Sequence, residues 1–400
     1  IRNTAIGACA LRLATGGFNT AVGTYALSQT TTGICNVAIG GEAMFYNTSG
    51  CMNTAVGFRT LQCNSIGCNN TAVGMCSMFE NVSGGMNTAV GQSSLTKNTC
   101  GWYNTASGYN SLKCNTTGFE NTGSGYRVMR ANTTGGYNTA LGSRALNSNT
   151  TASNNTSIGY ASMQSNTTGG NNTAVGFETL KANTTGNYNA GLGYKALLST
   201  TTGSKNTASG IYSLCKNTTG SGNTASGYMA LLKNTTGHSN TSSGQYSMTD
   251  NTTGNHNTAF GSCSLHANTT SGYNTAVGSC SLGANTTGAQ NTAVGQFSLK
   301  TNTTGASNAA LGANTLQANT TGSNNIAIGD CALLDNTTAS NNAGIGHGAL
   351  RRNTTGYSNI GFGSFALQCN TTGHSNVAIG CTALNVSTTG NNNVAVGNES

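Results

Sequence analysis

The sequence predicts an all-β fold, a parallel β-solenoid (β-roll) of about 24 coils, and three observations predict it. First, the motif Asn-x-(Ala/Gly/Ser)-x-Gly occurs 24 times between Asn3 and Asn393; the first step is 16 residues and the other 22 are 17 without exception. A strict period of this length marks stacked supersecondary units. Second, counting the Asn as position 1, position 5 is Gly in all 24 copies and position 9 is Leu or Met in all 23 copies that reach it. Third, each repeat carries two or more glycines, each costing about 1 kcal/mol inside a helix, together with β-branched Thr and Val, so helix is excluded.

Each position of the unit Asn172–Tyr188 then takes a role. Positions 1–5 read as a strand, with a turn to follow. Position 3 is always Ala, Gly or Ser, as at Ala21, Gly123 and Ser242. In a strand through position 5 it would share a face with the invariant Gly, and that small face is expected where two sheets or two chains pack closely. Gly at position 5 implies either φ > 0 or a backbone too close for a Cβ. Position 4 is mostly aliphatic but is Ser at 107, 124, 209, 226 and 243, which suits a mixed interface. The ladder at position 9, from Leu11 to Leu384, is the expected interior. Positions 12–15, mostly Asn-Thr-Thr-Gly, read as a turn in which Gly supplies φ > 0. Variable positions 6, 7, 10, 11, 16 and 17 carry most charges and aromatics (Arg59, Glu178, Lys195, Tyr228, Tyr273) and face outward. Such a coil fits two short strands and two turns, and coils stacked about 4.8 Å apart would make a rod on the order of 110 Å long. Burying one Leu stabilises by about 1.5–3 kcal/mol, whereas ordering each residue's backbone costs about 1–2 kcal/mol. One coil therefore cannot stand alone, and the array depends on its neighbours.

Composition narrows the function classes. Only 6% of residues are charged, there are 57 Gly and no Pro, and the formal net charge of +8 is spread thinly. No Lys/Arg run exceeds Arg351-Arg352, so nucleic-acid binding by counterion release has no footprint. No apolar stretch approaches the roughly 20 residues that span a bilayer, and no membrane insertion is expected within 1–400. With no linker or composition break, residues 1–400 read as one continuous array. Neither end has an atypical capping repeat, so a segment of a longer fibre is expected. The five His and eight carboxylates are dispersed and assemble no nucleophile–base set. Neither catalysis nor a cofactor or metal is expected.

Two motif classes offer candidate sites. Position 12 supplies 17 Asn-x-Ser/Thr sequons: Asn47, Asn81, Asn115, Asn132, Asn149, Asn166, Asn183, Asn217, Asn234, Asn251, Asn268, Asn285, Asn302, Asn319, Asn336, Asn353 and Asn370. Each is a formal N-glycan acceptor. The competing reading is a ladder of amides bonding coil to coil, which a spacing of about 4.8 Å favours because a branched glycan is wider. The 14 Cys lack metal-ligand spacing. Two pairs share a register one coil apart, Cys51 with Cys68 and Cys263 with Cys280, inside the Cα window for a disulfide; free thiols are the alternative. Aromatics recur at position 6 (Tyr109, Tyr126, Tyr160, Phe177, Tyr194, Tyr228) and position 17 (Tyr103, Tyr137, Tyr188, Tyr273), as cross-strand pairs or as a ligand stripe.

The unit Asn-x-Ala-Val/Ile-Gly at Asn53–Gly57, Asn172–Gly176 and Asn376–Gly380 resembles the head repeats of YadA-like trimeric autotransporter adhesins. The longer form, with Asn-Thr-Thr-Gly, is similar to phage-type tail-fibre β-roll repeats. The resemblance covers all 400 residues and implies a left-handed roll in a lateral trimer. The 17-residue period is longer than the usual adhesin head unit, so a coil closing its own core as a single-chain solenoid remains an alternative. The function that follows is an extracellular or cell-surface (or virion) structural and adhesive fibre, a rigid spacer or head, with a homotrimer or head-to-tail filament as partner state. The alternatives are a repetitive binding module for glycan, matrix protein or ice, and a glycosylated single-chain solenoid filament.

Overall fold

The computed structural model describes residues 2–400 and is an all-β parallel β-solenoid with a 17-residue repeat and about 23 turns. Two compact units divide it, Ile1–Thr202 and Gly203–Ser400. The first holds strands β1 (Thr4–Ile6) to β12 (Ala190–Leu192), and the second β13 (Thr207–Ser209) to β24 (Val394–Val396). Within each unit neighbouring strands pair in parallel with like positions opposed, as in Thr156↔Thr173 and Ser157↔Ala174 or Thr275↔Thr292 and Ala276↔Ala293. The hydrophobic register and the period thus coincide, which removes any one-residue slip.

Each coil has a single strand of three residues, positions 2–4, where the sequence suggested two strands. The rest of the coil is turn, and its backbone explains why. In the coil from Asn172, Gly176, Glu178, Leu180 and Tyr188 all have positive φ, at 135°, 53°, 52° and 58°. The same four positions recur with positive φ coil after coil. A left-handed conformation costs a non-glycine residue roughly 1–2 kcal/mol. Here the position is over-determined by bonds to both neighbouring coils. Leu180 N–H donates to Ala196 O at 3.0 Å in the following coil, whereas Glu178 N–H donates to Tyr160 O at 2.9 Å and Tyr188 N–H to Gly170 O at 3.3 Å in the preceding one. The reversals let side chains 6, 7, 16 and 17 point outward while Leu at position 9 turns in.

The interior is one large side chain wide. Leu180 is fully buried together with Ala174 at position 3 and Thr179 at position 8. The small residue at position 3 therefore makes room for the coil's own Leu. This corrects the expectation of a small face between chains: the strand ends at position 4, so Gly176 lies at the corner beyond it and not on the face of Ala174. At that corner a Cβ would lie 2.3 Å from Gly193 O. Both reasons for Gly at position 5, the φ and the close backbone, hold together.

Two buried amide ladders flank the Leu. Asn172 Nδ2 donates to Gly186 O at 2.9 Å and Asn172 N–H to Asn155 Oδ1 at 3.0 Å. On the other side Asn183 Nδ2 donates to Asn166 Oδ1 at 2.7 Å and to the same Gly186 O at 3.0 Å. Position 15 is squeezed between them. At Gly305 a Cβ would meet Gly322 O at 2.3 Å and Asn302 Oδ1 at 2.4 Å, and its φ is not positive. Gly at position 15 thus serves the two ladders and not a left-handed turn, which corrects the turn reading. Thr at position 13 adds a third row, as in Thr184 Oγ1 to Thr201 O at 3.1 Å.

The position-12 ladder has a defect that can be repaired. Thr30 replaces the Asn there, and its buried Oγ1 has no hydrogen-bond partner. On the next rung, Asn47 Oδ1 still accepts from Asn64 Nδ2 at 2.8 Å, but Asn47 Nδ2 keeps only its bond to Gly50 O at 3.1 Å. Thr30→Asn supplies the Oδ1 that Asn47 Nδ2 lacks and should stabilise the chain by about 1 kcal/mol, read as a higher urea midpoint.

Candidate interaction surface

The outer face of the strands is the candidate surface. Alternation turns positions 2 and 4 outward because position 3 is committed to the core. In the first unit position 2 is Thr in eight successive coils from Thr54 to Thr173, beside Val56, Val73 and Val90 at position 4. In the second unit the later coils replace Thr with Ile326, Ile360 and Val394, all exposed beside exposed Ile328, Phe362 and Val396. No position-2 or position-4 residue carries a charge. This mixed position 4 was legible in the sequence; that it lies on the outside with position 2 was not.

Aromatics line the edges of this face. At position 6 Tyr160 stacks on Phe177 with centroids 5.2 Å apart, and Tyr109 on Tyr126 at 5.6 Å. The column at positions 16 and 17 gives a second line: His256 stacks on Tyr273 at 5.0 Å and Tyr357 on His374 at 4.7 Å. Offset stacks of this kind contribute about 0.5–1.5 kcal/mol each beyond area burial. Several rings also cover a glycine of the neighbouring coil. A Cβ on Gly85 would lie 2.5 Å from the Trp102 ring, and one on Gly348 2.9 Å from the Phe365 ring. Glycine-on-aromatic pairing across strands is a known device for protecting exposed glycine. Sequence reasoning missed it because it tracked aromatics and glycines as separate columns. The scattered charges pair by the same coil-to-coil rule, Arg59 with Glu42 at 2.8 Å and Lys233 with Asp250 at 2.8 Å.

Of the 17 candidate sequon asparagines at position 12, Asn183 and Asn302 are typical: fully buried, with Nδ2 donating to one Asn Oδ1 and one carbonyl. Both amide hydrogens are committed inside the coil, so the nitrogen a glycan would use faces the core.

The cysteine pairs differ from each other. Cys51 and Cys68 bring their Sγ atoms to 2.7 Å, and Cys51 N–H donates to Cys68 Sγ at 3.1 Å. The hydrogen bond with the Cys68 thiol and then burial push Cys51 up to about 11. Cys263 and Cys280 are instead neighbours at the mouth of a hollow of about 260 Å³ beside His266 and Lys300, and each Sγ accepts from its own preceding serine, Ser262 or Ser279. All four are free thiols in this structure. Oxidised glutathione should therefore bridge Cys51 to Cys68, slowly at neutral pH and faster as pH rises toward 11, because thiolate is the attacking form. Peptide mapping after alkylation reads the outcome; full alkylation of both residues refutes the bridge.

Among the described residues no three His, Cys, Asp or Glu side chains group as metal ligands. No helix is long and apolar enough to cross a membrane. No family model matches the chain, and no curated protein sequence matches it.

Proposed function

We propose that this chain is a segment of an extracellular structural and adhesive fibre, a stiff spacer or head that assembles laterally as a homotrimer. The observation that carries the reading is the uncharged face of positions 2 and 4, exposed or half-exposed along both units while each coil from Leu27 to Leu367 already buries its own Leu or Met. Repeated exposed apolar side chains of this extent mark an interaction surface, and an identical face on identical coils suits closed symmetric association. Stiffness follows from the two buried amide ladders and the Thr row at position 13, which bond neighbouring coils together. Sedimentation at three times the single-chain mass of 40.2 kDa is the expected result. Sedimentation at one chain mass refutes the lateral trimer.

Ice binding is a second reading, on one observation. The Thr column from Thr54 to Thr173, half-buried at Thr54 and Thr156 and otherwise exposed, forms a regular row on the strands. The adjacent Thr pair of the turn cannot play that part, since its first hydroxyl bonds the next coil. A thermal-hysteresis assay with no activity removes this reading. The glycosylated single-chain filament is tested by glycopeptide mapping before and after glycosidase; unmodified peptides are expected at the position-12 sites, because those acceptor nitrogens are buried.

A further inference from the structure

We infer that the column at positions 16 and 17 of three successive coils in the first unit is a carbohydrate-binding site, built from Trp102, Tyr103, Phe119, Glu120 and Tyr137 with Thr122 of the adjoining strand. It deepens the adhesive half of the reading above by naming a ligand, and it does not depend on lateral assembly.

The residue types and their exposure carry the inference. Trp102 is the sole Trp of the chain. It is 41% exposed, with Tyr103 at 54%, Phe119 at 40% and Tyr137 at 52%. Trp102 and Tyr103 have ring centroids 6.3 Å apart, and Phe119 meets Tyr137 edge to face at 5.0 Å. The rings therefore form two contacting pairs, one on each side of Glu120: Trp102 lies over Gly85 of the preceding coil and Phe119 over Gly136 of the following one. Glu120 occupies position 17 between Tyr103 and Tyr137, with its N–H held by Trp102 O at 3.0 Å. It is one of only eight carboxylates in 400 residues, and unlike Glu42 and Glu178 it makes no ion pair among the described residues. Tyr103, Glu120 and Thr122 line a shallow hollow of about 500 Å³.

An exposed, unpaired carboxylate flanked by two aromatic pairs along its column, with Tyr103 lining the same hollow, has no structural task in the coil. The ladders and the Leu core are complete without it. Chemically the set suits a pyranose chain. Sugar rings present an apolar C–H face to aromatic rings and hydroxyl edges to an acceptor. Coil spacing of about 4.8 Å is close to the length of one pyranose unit, so successive coils can meet successive sugars. The carboxylate selects against uronic and sialic acids by like charge. Trp102 also explains how the rings stay fixed: its indole lies over Gly85, which limits the ordering cost of binding. The ligand class is thus a neutral, linear oligosaccharide, for which a β-linked glucan and its N-acetylated counterpart are the probes.

The full chain is titrated with cellohexaose, with chitohexaose and, as the charged control, with an oligogalacturonate, following Trp102 fluorescence. Saturable change with at least one neutral sugar and none with the uronate is the expected result. Glu120→Gln should weaken that binding about tenfold, measured calorimetrically, with an unchanged thermal midpoint. Tyr103→Ala should abolish it. No fluorescence change with either neutral sugar at millimolar concentration overturns the inference, as does Glu120→Gln binding as tightly as the parent. A trimeric sample that binds neither sugar refutes this site alone, and a monomeric sample that binds refutes the lateral trimer alone.

Discussion

Gly295→Ala should destabilise the chain by about 3–5 kcal/mol, whereas Gly305→Ala, ten residues on in the same coil, should cost about 1–2 kcal/mol. Both glycines are crowded: an added Cβ meets Gly312 O at 2.3 Å in the first case and Gly322 O at 2.3 Å in the second. The difference is the backbone. Gly295 has φ +131°, a region essentially closed to L side chains, while Gly305 has no positive φ. The sequence holds its own control, since Ala152, Ser271 and Ala339 occupy position 15 in other coils. Ser271 even joins the ladder through its hydroxyl, which bonds Asn268. No copy departs from Gly at position 5. Urea unfolding of the full chain gives the ranking, and amide exchange at Gly312 and Ala313 localises it. Equal losses at the two sites would refute the backbone argument.

Much of the coil could be read from single residues. The Leu180 ladder, the outward aromatics and the need for Gly176 followed from residue type and period. What could not be read was which side of a three-residue strand is inside. Alternation says that Ala174 opposes Thr173 and Val175, but a small residue is compatible both with a chain contact and with a cramped core. The large residue that decides the matter is six positions away, across a turn whose path depends on Leu180 adopting φ 52°. Leu has no local preference for that conformation, so no propensity could reveal it. It is imposed by hydrogen bonds from the adjacent coils. The aromatic-on-glycine covers at Gly85 and Gly348 escaped notice for the same reason: they join residues 17 apart. That Cys51 and Cys68 are neighbours was legible from shared register; that their thiols meet, whereas those of Cys263 and Cys280 bond their own serines, was not.

Asn302→Asp should be the most damaging isosteric change, and its cost should grow with pH. Asn302 is fully buried. Its Nδ2 donates to Asn285 Oδ1 at 2.9 Å and to Gly305 O at 2.9 Å, while its Oδ1 accepts from Asn319 Nδ2 at 2.8 Å. An aspartate there faces two acceptors with no hydrogen to offer either. Only the protonated acid can restore one of the two bonds, so its folded-state pKa must lie well above the ordinary value of about 3.9. Below that value both states are protonated and the penalty is the lost hydrogen bond, about 1–3 kcal/mol. As pH rises the unfolded chain ionises first and the folded state loses about 1.4 kcal/mol per unit. By pH 7 the added loss reaches about 4 kcal/mol, unless the folded group ionises earlier. Asn302→Ala removes the same donors without a titrating group and should cost about 3 kcal/mol at every pH. Parallel melts at pH 4 and pH 7 separate them: the two variants should be similar at pH 4, with Asp far below Ala at pH 7. A flat profile for Asp would mean that water reaches the rung, and then Asn302 is no longer the closed ladder site that also shields it from a glycan.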